Sequence, residues 1–393
     1  MNHRPALAGR PRFDIADIVR EHRVALEAET CLSLAERRVL SDIERCRTVA
    51  LGGHVDVCRS CGHQHYAYNS CRNRHCPKCQ ALRQEQWIDA RAERLLPVRH
   101  FHVVFTLPSE LRPLAKALPC AVLDALFASA SSTLLELGLS RLGATLGVTM
   151  VLHTWTRDLR LHPHVHALVT AGGLARDGAH WLTSGKNYLF PVAMMGNVFR
   201  AKMMQCLRRL HEQGKFAAFN ELRDPQAFDR LMARIARARW VVFAKKPFRR
   251  PGHVLRYLGR YTHRVAISNS RITSVTADAV TFRTKNGKST SLHPVEFLRR
   301  FVQHVLPNGF HKIRHFGLYS STAVAVRLRS ARAAIAPTSA PTPAAPTLTW
   351  RDRLRALTGR DVDHCSMCGG LVDHLPLPRI QLGPRAPPVR RAA

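Results

Sequence analysis

The sequence predicts an α+β protein, in which an antiparallel sheet flanked by helices follows a small N-terminal zinc-binding module. Three observations lead to this class. Cysteine and histidine crowd into residues 54–80, short β-like runs and long helical stretches follow, and 60 Lys and Arg stand against 27 Asp and Glu. Because 46% of the residues are hydrophobic, the chain is expected to fold, and its net charge of +33 indicates a polyanionic partner.

At 393 residues the chain is long enough for more than one domain. We divide it into N-terminal helices with the zinc module (1–96), a central domain with a β-rich C-terminal portion (97–330), and a Pro/Ala linker with a mostly disordered basic tail (331–393). The linker, AAIAPTSAPTPAAPTL, lacks the large apolar side chains that a core requires.

The first twenty residues contain no uninterrupted apolar stretch, so we expect no secretory signal. The most apolar segment, 117–139, is interrupted by Asp124 and Glu136 and is interpreted as a buried helix rather than a membrane span. The 11 cysteines include Cys-x-x-Cys pairs, which in a chain without a signal favour metal binding in a reducing cytosol. The protein is therefore expected to be cytoplasmic and nucleoid-associated, with no membrane partner.

Hydrophobic periodicity places the elements of the first half. Apolar residues recur with helical spacing over 13–47, and a helix is expected over 80–96. The run HVVFTL at 102–107 predicts a strand that ends at a proline. A long helical region then leads to two strands, over 148–155 and 164–170.

In the second half, residues 196–240 are mainly helical in pattern and rich in Arg and Lys. A helix is predicted over 251–264, because proline is favoured at the first helical position. Residues 265–292 alternate in short β-like runs around an Asn286–Gly287 turn. A helix over 295–305 and a strand near 313–318 complete the folded part.

Two Cys-x-x-Cys pairs, Cys58/Cys61 and Cys76/Cys79, have fourteen residues between them. Each pair has the spacing of a knuckle that directs two thiolates at one tetrahedral ion, so the four predict a structural Zn²⁺ site. Lys78 would help to keep the thiolates deprotonated. Four further candidates lie in the same stretch: Cys71, His63, His65 and His75. They could bind a second ion, or Cys71 or His75 could replace one of the four ligands.

The same module is a candidate for DNA contact, because it contains Arg72, Arg74 and Lys78. Such residues can also have only a structural role in small modules that have little core. A further pair, Cys365/Cys368, follows the linker and supplies only half of a site. His364 or His374 could complete it, and the sequence alone assigns it no function.

His164 and His166 lie in an apolar run, and on a strand both point to one face. They need a third ligand to hold a divalent cation with positions open to a substrate. If the two strands form a hairpin that turns at Leu159–Arg160, His153 lies directly opposite His166 and can share the ion. The other candidates are His162, His253 and His263, and a histidine on an apolar strand can also be a hydrogen-bonded core residue.

Tyr257 and Tyr261 are four residues apart on the predicted helix and share a face, with Arg260 and Arg264 nearby. Gly259 costs about 1 kcal/mol relative to alanine in a helix, which indicates that another element approaches closely. Beside a cation that polarises a phosphate, a tyrosine oxygen can attack in line and conserve the bond energy in a covalent link. Arginines would stabilise the charge of the transition state.

Five strings in this order resemble the insertion sequence 91 family, the HUH-type two-tyrosine transposases of rolling-circle insertion sequences. They are CRNRHCPKCQ (71–80), HVVFTLP (102–108), HPHVHALVTAGG (162–173), YLGRYTHRVAIS (257–268) and FLRRFVQHVLPNGFHKIRHFGLYS (297–320). The resemblance implies an HUH nuclease palm, a zinc-binding N-terminal module, and transfer of single-stranded DNA that depends on Mg²⁺ or Mn²⁺. It also implies that Tyr257 and Tyr261 form 5′-phosphotyrosine links and that His164 and His166 bind the metal, whereas His153 rests on the hairpin argument.

Two functions from different classes compete. The first is a transposase that cuts and rejoins single-stranded transposon ends and target DNA. The second is a non-catalytic, zinc-dependent DNA-binding protein; within the enzyme class, a replication initiator or relaxase would use similar residues. The oligomeric state is not set by the sequence.

Overall fold

The architecture is that of a computed structural model, which describes residues 11–222, 224–248, 259, 265–320, 324–336 and 348–380. The α-helices in these residues are α1 (Ile15–Glu29), α2 (Leu34–Arg45), α3 (Ala81–Ala92), α4 (Arg112–Ala117), α5 (Pro119–Arg141), α6 (Val192–Glu212), α7 (Pro225–Arg237), α8 (Pro294–Val302), α9 (Val324–Ile335) and α10 (Trp350–Thr358). The strands are β1 (Gly53–Cys58), β2 (Gln64–Tyr68), β3 (His100–Thr106), β4 (Ala144–Trp155), β5 (Leu161–Ala175), β6 (Trp181–Thr183), β7 (Val241–Phe248), β8 (Ile272–Val275), β9 (Val280–Arg283), β10 (Ser289–Leu292), β11 (Ile313–Gly317) and β12 (Val372–Leu377). Helices and antiparallel sheets together confirm the predicted α+β class.

The largest sheet has the strand order β11-β4-β5-β3-β7, with β6 attached to β5, and every pair is antiparallel. Successive side chains of a strand point to opposite faces. On one face Phe101, Val103 and Phe105 of β3 are fully buried in the main core, which α5 and α6 complete with side chains such as Phe127 and Phe199. The opposite face of the same strands carries the histidines.

Helix α5 is the apolar segment that the sequence analysis interpreted as a buried helix. It is long and apolar enough to cross a membrane by length and composition, but 61% of its most apolar stretch is buried inside the protein. Leu126, Phe127 and Leu134 have no exposed surface. A helix that is apolar on all sides suits such a position between a sheet and other helices, and the packing agrees with a core helix.

The N-terminal helices do not form a core of their own. Ile15 and Ile18 of α1 pack in one cluster with Phe282 of β9 and Phe297 of α8. The predicted boundary at residue 96 therefore does not separate two cores. In the small sheet β8-β9-β10, Asn286 has φ 57° and Gly287 has φ 75°, which confirms the predicted Asn-Gly turn, because a type I′ turn requires positive φ at both central residues.

Residues 348–380, which we name the C-terminal arm, fold back to the start of the chain. Strand β12 pairs antiparallel with β1 from Gly53 opposite Leu377 to Cys58 opposite Val372, and so completes the three-stranded sheet β12-β1-β2. The prediction of a mostly disordered tail is therefore wrong for the arm. Its composition is polar, but β1 offers an open edge of backbone donors and acceptors that a distant strand can satisfy.

Candidate metal centres

The predicted histidine hairpin exists, with a different register. Strands β4 and β5 pair so that His153 lies opposite His164, and Val151 lies opposite His166. The prediction that His153 faces His166 directly is wrong by two residues, because the chain turns earlier than expected, with Leu159 in a left-handed conformation at φ 64°. A two-residue shift preserves the face of every side chain, so the three histidines still meet.

His153, His164 and His166 each offer a ring nitrogen, and the three nitrogens lie within 4.8 Å of one another. The ring centroids of His153 and His166 are 4.3 Å apart, and those of His164 and His166 are 4.9 Å apart. Three imidazoles converging from two adjacent strands form half of a coordination sphere and leave the other positions to substrate or water. We name this group the histidine triad.

Hydrogen bonds select the nitrogens that face an ion. Nδ1–H of His164 donates to the carbonyl oxygen of His162 at 2.6 Å, which leaves Nε2 with its lone pair. Burial is the main cause that lowers the pKa of His164 to about 4 and that of His166 to about 2. Both rings are therefore neutral near pH 7, which is the state that binds a metal. The residues present fit a divalent cation.

His162 neighbours the triad, with its ring centroid 5.2 Å from that of His164, but its side chain has another partner. The guanidinium of Arg112 donates to Nδ1 of His162 at 3.3 Å, and His162 is absent from the converging nitrogens among the described residues. His253 and His263 lie outside the described residues.

His102 of β3 supports the triad and was not identified from the sequence. Its Nε2 lies 2.8 Å from Nδ1 of His166, and the two rings stack with planes 2° apart. If Nδ1–H of His166 donates to His102, Nε2 of His166 carries the lone pair that a metal requires. If His102 donates instead, Nε2 of His166 carries the proton and cannot bind a metal. A His102 that accepts from His166 would thus hold the metal-binding tautomer, as the partner of a ligating histidine commonly does.

Replacement of His102 by phenylalanine is expected to weaken binding of Mn²⁺ about 10- to 100-fold, because His166 loses the acceptor that orients it. Calorimetric titration of the apo protein with Mn²⁺ measures the change. His102→Gln, whose Oε1 can still accept, should retain more affinity, and His180→Phe at an exposed histidine should match the parent. Equal affinities for all three variants would contradict a positioning role.

The cysteines form two clusters that divide the predicted quartet. The first cluster contains Cys46, Cys71, Cys76 and Cys79, and the second contains Cys58, Cys61, Cys365 and Cys368. The prediction that Cys58, Cys61, Cys76 and Cys79 share one ion is therefore wrong. The β1–β2 hairpin places Cys58 and Cys61 away from Cys76 and Cys79. Each of these pairs lies next to a different pair of cysteines.

The first cluster, the Cys46 cluster, fits zinc. Sγ of Cys79 lies 3.1 Å from that of Cys46, 3.5 Å from that of Cys76 and 3.6 Å from that of Cys71. Sulfurs bound at about 2.3 Å around a tetrahedral Zn²⁺ are about 3.8 Å apart. Thiol donors from its neighbours lower the pKa of Cys79, and the same shared hydrogen bonds raise the pKa of Cys76. Four thiolates at such separations would repel one another, so deprotonation of the whole cluster requires a cation. Cys71, an open alternative in the sequence, is a member; Cys46, at the end of α2, was missed because it has no Cys-x-x-Cys partner.

His75 and two of the predicted DNA-binding residues have internal roles. Nε2 of His75 accepts the amide of Leu306 at 3.3 Å, so His75 is not a ligand. The guanidinium of Arg74 donates to the carbonyl of Phe310 at 2.7 Å and to that of Pro307 at 3.0 Å. Lys78 pairs with Asp14 at 2.8 Å. Arg74 thus ties the module to the segment after α8, and Lys78 ties it to the start of α1, whereas Arg72 is exposed and stays a candidate for DNA contact.

Tyr257, Tyr261, Arg260 and Arg264 lie outside the described residues, but Gly259 between them is described. A Cβ built on Gly259 would come within 2.5 Å of Cδ1 of Ile88 on α3. The close approach inferred from this glycine is therefore to α3. Trp87 of the same helix packs on Val151 and Leu168, which share the sheet face of His166. Helix α3 thus contacts both Gly259 and the sheet face that carries the histidines.

Fold and sites together define an α+β protein with two zinc-type cysteine clusters and a histidine triad on an antiparallel sheet. Residues 18–107 match the family described as "Transposase zinc-binding domain", and residues 147–325 match the family described as "Putative transposase". The chain is 41% identical over 368 residues to "Putative transposase y4qJ" of Sinorhizobium fredii, covering 90% of this chain and 92% of that protein. It is 31% identical over 360 residues to "Transposase for insertion sequence element IS801" of Pseudomonas savastanoi pv. phaseolicola, covering 86% of this chain and 84% of that protein. No solved structure matches the chain significantly.

The chain belongs to the insertion sequence 91 family of transposases. The resemblance recognised in the five sequence strings is confirmed. As a transposase the protein acts on DNA, and its N-terminal module is a zinc-binding domain, in agreement with the excess of basic residues and with the cysteine clusters.

Proposed function

We propose that this transposase cuts and rejoins single-stranded DNA through 5′-phosphotyrosine links in rolling-circle transposition, with the large sheet as the palm of an HUH nuclease. The observation that carries the proposal is the histidine triad, three imidazoles converging on one face of an antiparallel sheet. The packing of Gly259 against α3 supports it, because that residue lies between the two tyrosines proposed as nucleophiles.

His153, His164 and His166 would hold Mg²⁺ or Mn²⁺. When bound there, such an ion polarises the non-bridging oxygens of a phosphate and makes the phosphorus more electrophilic. The sheet supplies the rigidity that this function needs, since His164 is held through its Nδ1 by the carbonyl of His162 and His166 is held through its Nδ1 by His102.

The reaction proposed for Tyr257 and Tyr261 is a transesterification. The phenol oxygen of one tyrosine attacks the phosphorus, the bond to the 3′ oxygen breaks, and the phenol proton is balanced by protonation of the new 3′ hydroxyl. The tyrosine then carries the 5′ phosphate, and attack by another 3′ hydroxyl reverses the reaction and joins a strand. A second tyrosine four residues on permits a second cleavage before the first link is resolved.

The edge strand β7 offers a path for the DNA. Phe243 lies opposite Val104, which lies opposite His166, so all three side chains share one face of the sheet. Phe243 is 51% exposed. Strands are about 4.8 Å apart, and an exposed aromatic ring two strands from the triad suits stacking of a base near the reacting phosphate. Lys245, opposite His102, adds a positive charge to the same face.

The test uses labelled single-stranded oligonucleotides that carry the ends of the element, with the full-length protein and Mn²⁺. Covalent adducts that survive denaturation are expected, and the double variant Tyr257→Phe with Tyr261→Phe should form none while it retains salt-sensitive DNA binding. Tyr66→Phe, at a tyrosine of β2 that is 54% exposed, is the matched control. Adducts in the double variant would disprove the tyrosine assignment. Binding without adducts in the parent protein would favour the non-catalytic DNA-binding function.

A further inference from the structure

We propose that the second cluster, Cys58, Cys61, Cys365 and Cys368 (the Cys58 cluster), binds its own Zn²⁺ and thereby clamps the C-terminal arm onto the N-terminal module. The match to the zinc-binding domain ends at residue 107 and contains only two of these four cysteines. The other two come from the far end of the chain. The proposal does not depend on the mechanism proposed above.

The four sulfurs converge as ligands of one ion. Sγ of Cys58 lies 3.4 Å from that of Cys368, and Sγ of Cys61 lies 3.8 Å from that of Cys365, although more than 300 residues separate each pair. All four lie within 4.8 Å of one another, and none is in a disulfide. These spacings agree with the edge of about 3.8 Å expected around tetrahedral zinc.

The two contributing segments are matched zinc knuckles. Each reads Cys-x-x-Cys-Gly, and the glycines Gly62 and Gly369 have φ values of 67° and 75°. In each, the glycine amide donates to the carbonyl of the first cysteine at 3.0 Å. In the knuckle of Cys365, the amide of Met367 also donates to Sγ of Cys365 at 3.4 Å. Two copies of one metal-binding turn, facing each other, form the paired arrangement of a structural zinc site.

The arm has little apolar packing to hold it without a metal. Helix α10 has no buried residue, and Met367, Leu371 and Leu375 are at least half exposed. Its other contacts are the β12–β1 ladder and ion pairs, such as Arg59 with Asp373 at 2.6 Å. Exposed ion pairs contribute roughly 0–1 kcal/mol each, whereas zinc can supply the folding free energy of a small module directly.

Buried Asp56 gives the interface its specificity. Its carboxylate, 5% exposed, accepts from Nδ1 of His374 at 2.7 Å and from the guanidinium of Arg360 at 3.1 Å, and both partners belong to the arm. A carboxylate buried on β1 needs these partners. The N-terminal module therefore binds the arm through the same sheet that carries Cys58.

The C-terminal arm also contacts α3, the helix that packs against Gly259. Arg353 of α10 donates to the carboxylate of Asp89 on α3 at 2.9 Å. The neighbouring Ile88 is the side chain against Gly259. An arm fixed by zinc therefore also contacts α3.

The experiment measures zinc per chain by elemental analysis of the full-length protein purified without chelator. One ion in each cluster gives about two per chain, and the double variant Cys365→Ser with Cys368→Ser should retain about half. The matched control, Cys31→Ser with Cys120→Ser, changes two exposed cysteines outside both clusters and should retain both ions. In the cobalt-substituted protein, the thiolate charge-transfer absorption should fall by half in the first double variant only.

Hydrogen exchange over 350–377 reports the clamp itself, because release of the arm exposes the backbone amides of β12. Protection there should be lost in Cys365→Ser with Cys368→Ser and restored in Cys368→His, whose imidazole replaces a thiolate ligand. A parent protein with a single zinc, or a cysteine-to-serine variant that keeps both ions, would overturn the proposal. Retention of one zinc in Cys365→Ser with Cys368→Ser shows that the Cys46 cluster is still folded. The loss of the other zinc then cannot be attributed to general unfolding.

Discussion

Replacement of His166 by alanine is expected to lower the rate of adduct formation by at least about three orders of magnitude. A bound cation supplies several kcal/mol of transition-state stabilisation, and each 1.4 kcal/mol is a factor of about ten in rate. His166 is central to the triad, since its ring lies within 5 Å of both other triad rings and its Nδ1 is held by His102. Single-turnover cleavage of an end oligonucleotide, measured over a series of Mn²⁺ concentrations, gives the rate.

His164→Ala should have an effect of similar size, and His153→Ala tests the ligand that only the hairpin argument predicted. His162→Ala is the matched control, because His162 lies on the same strand, its side chain contacts Arg112, and the backbone carbonyl that accepts from His164 is kept in the variant. DNA binding at moderate salt should be unchanged in all four variants, since the triad contributes little to the basic surface. Full activity of His166→Ala at limiting Mn²⁺ would show that the triad is a structural cluster.

Replacement of Cys46 by serine is expected to remove one zinc per chain and to destabilise the N-terminal part of the protein by about 4 kcal/mol or more. Loss of a structural metal belongs to the few changes that exceed the ordinary cost of a point substitution. Cys46 has no exposed surface, and its sulfur lies 3.1 Å from that of Cys79. Thermal unfolding followed by circular dichroism, together with elemental analysis, measures both effects.

The Cys46 variant also separates the observed clusters from the four ligands predicted from the sequence. If Cys58, Cys61, Cys76 and Cys79 shared one ion, Cys46→Ser would leave the zinc content unchanged. Cys31→Ser provides the control, because Cys31 is exposed and belongs to neither cluster. Addition of a strong chelator to the parent protein should reproduce the destabilisation of Cys46→Ser, and zinc should reverse it.

The local sequence pattern predicted which histidines share a face of the sheet, but it did not predict the register of β4 against β5. His164 and His166 are two residues apart, so any strand places them on one side, and a hairpin with His153 on that side was the simplest way to complete a site. The exact opposing residue depends on where the turn closes, and the turn places Leu159 at positive φ, which a leucine does not signal. The site survived the error because a two-residue shift does not change the face.

Gly259 illustrates a prediction that needed no tertiary information to be useful. A glycine between two tyrosines in a helical pattern indicated close approach of another element, and Ile88 of α3 is that element. The identity of the neighbour was beyond the sequence, because residues 88 and 259 are brought together only when α3 lies across the sheet.

The sequence by itself determined the α+β class, the family, the presence of zinc-type knuckles and the three histidines that can share an ion, because each depends on residue types at short, regular spacings. Only the tertiary structure decided which cysteines share a site, that His102 orients His166, and that the C-terminal arm returns to β1. The physical reason is that a Cys-x-x-Cys turn specifies half of a tetrahedron and leaves its other half undetermined. The folded backbone selects the partner, and here it brings Cys365 and Cys368 across more than 300 residues to Cys58 and Cys61.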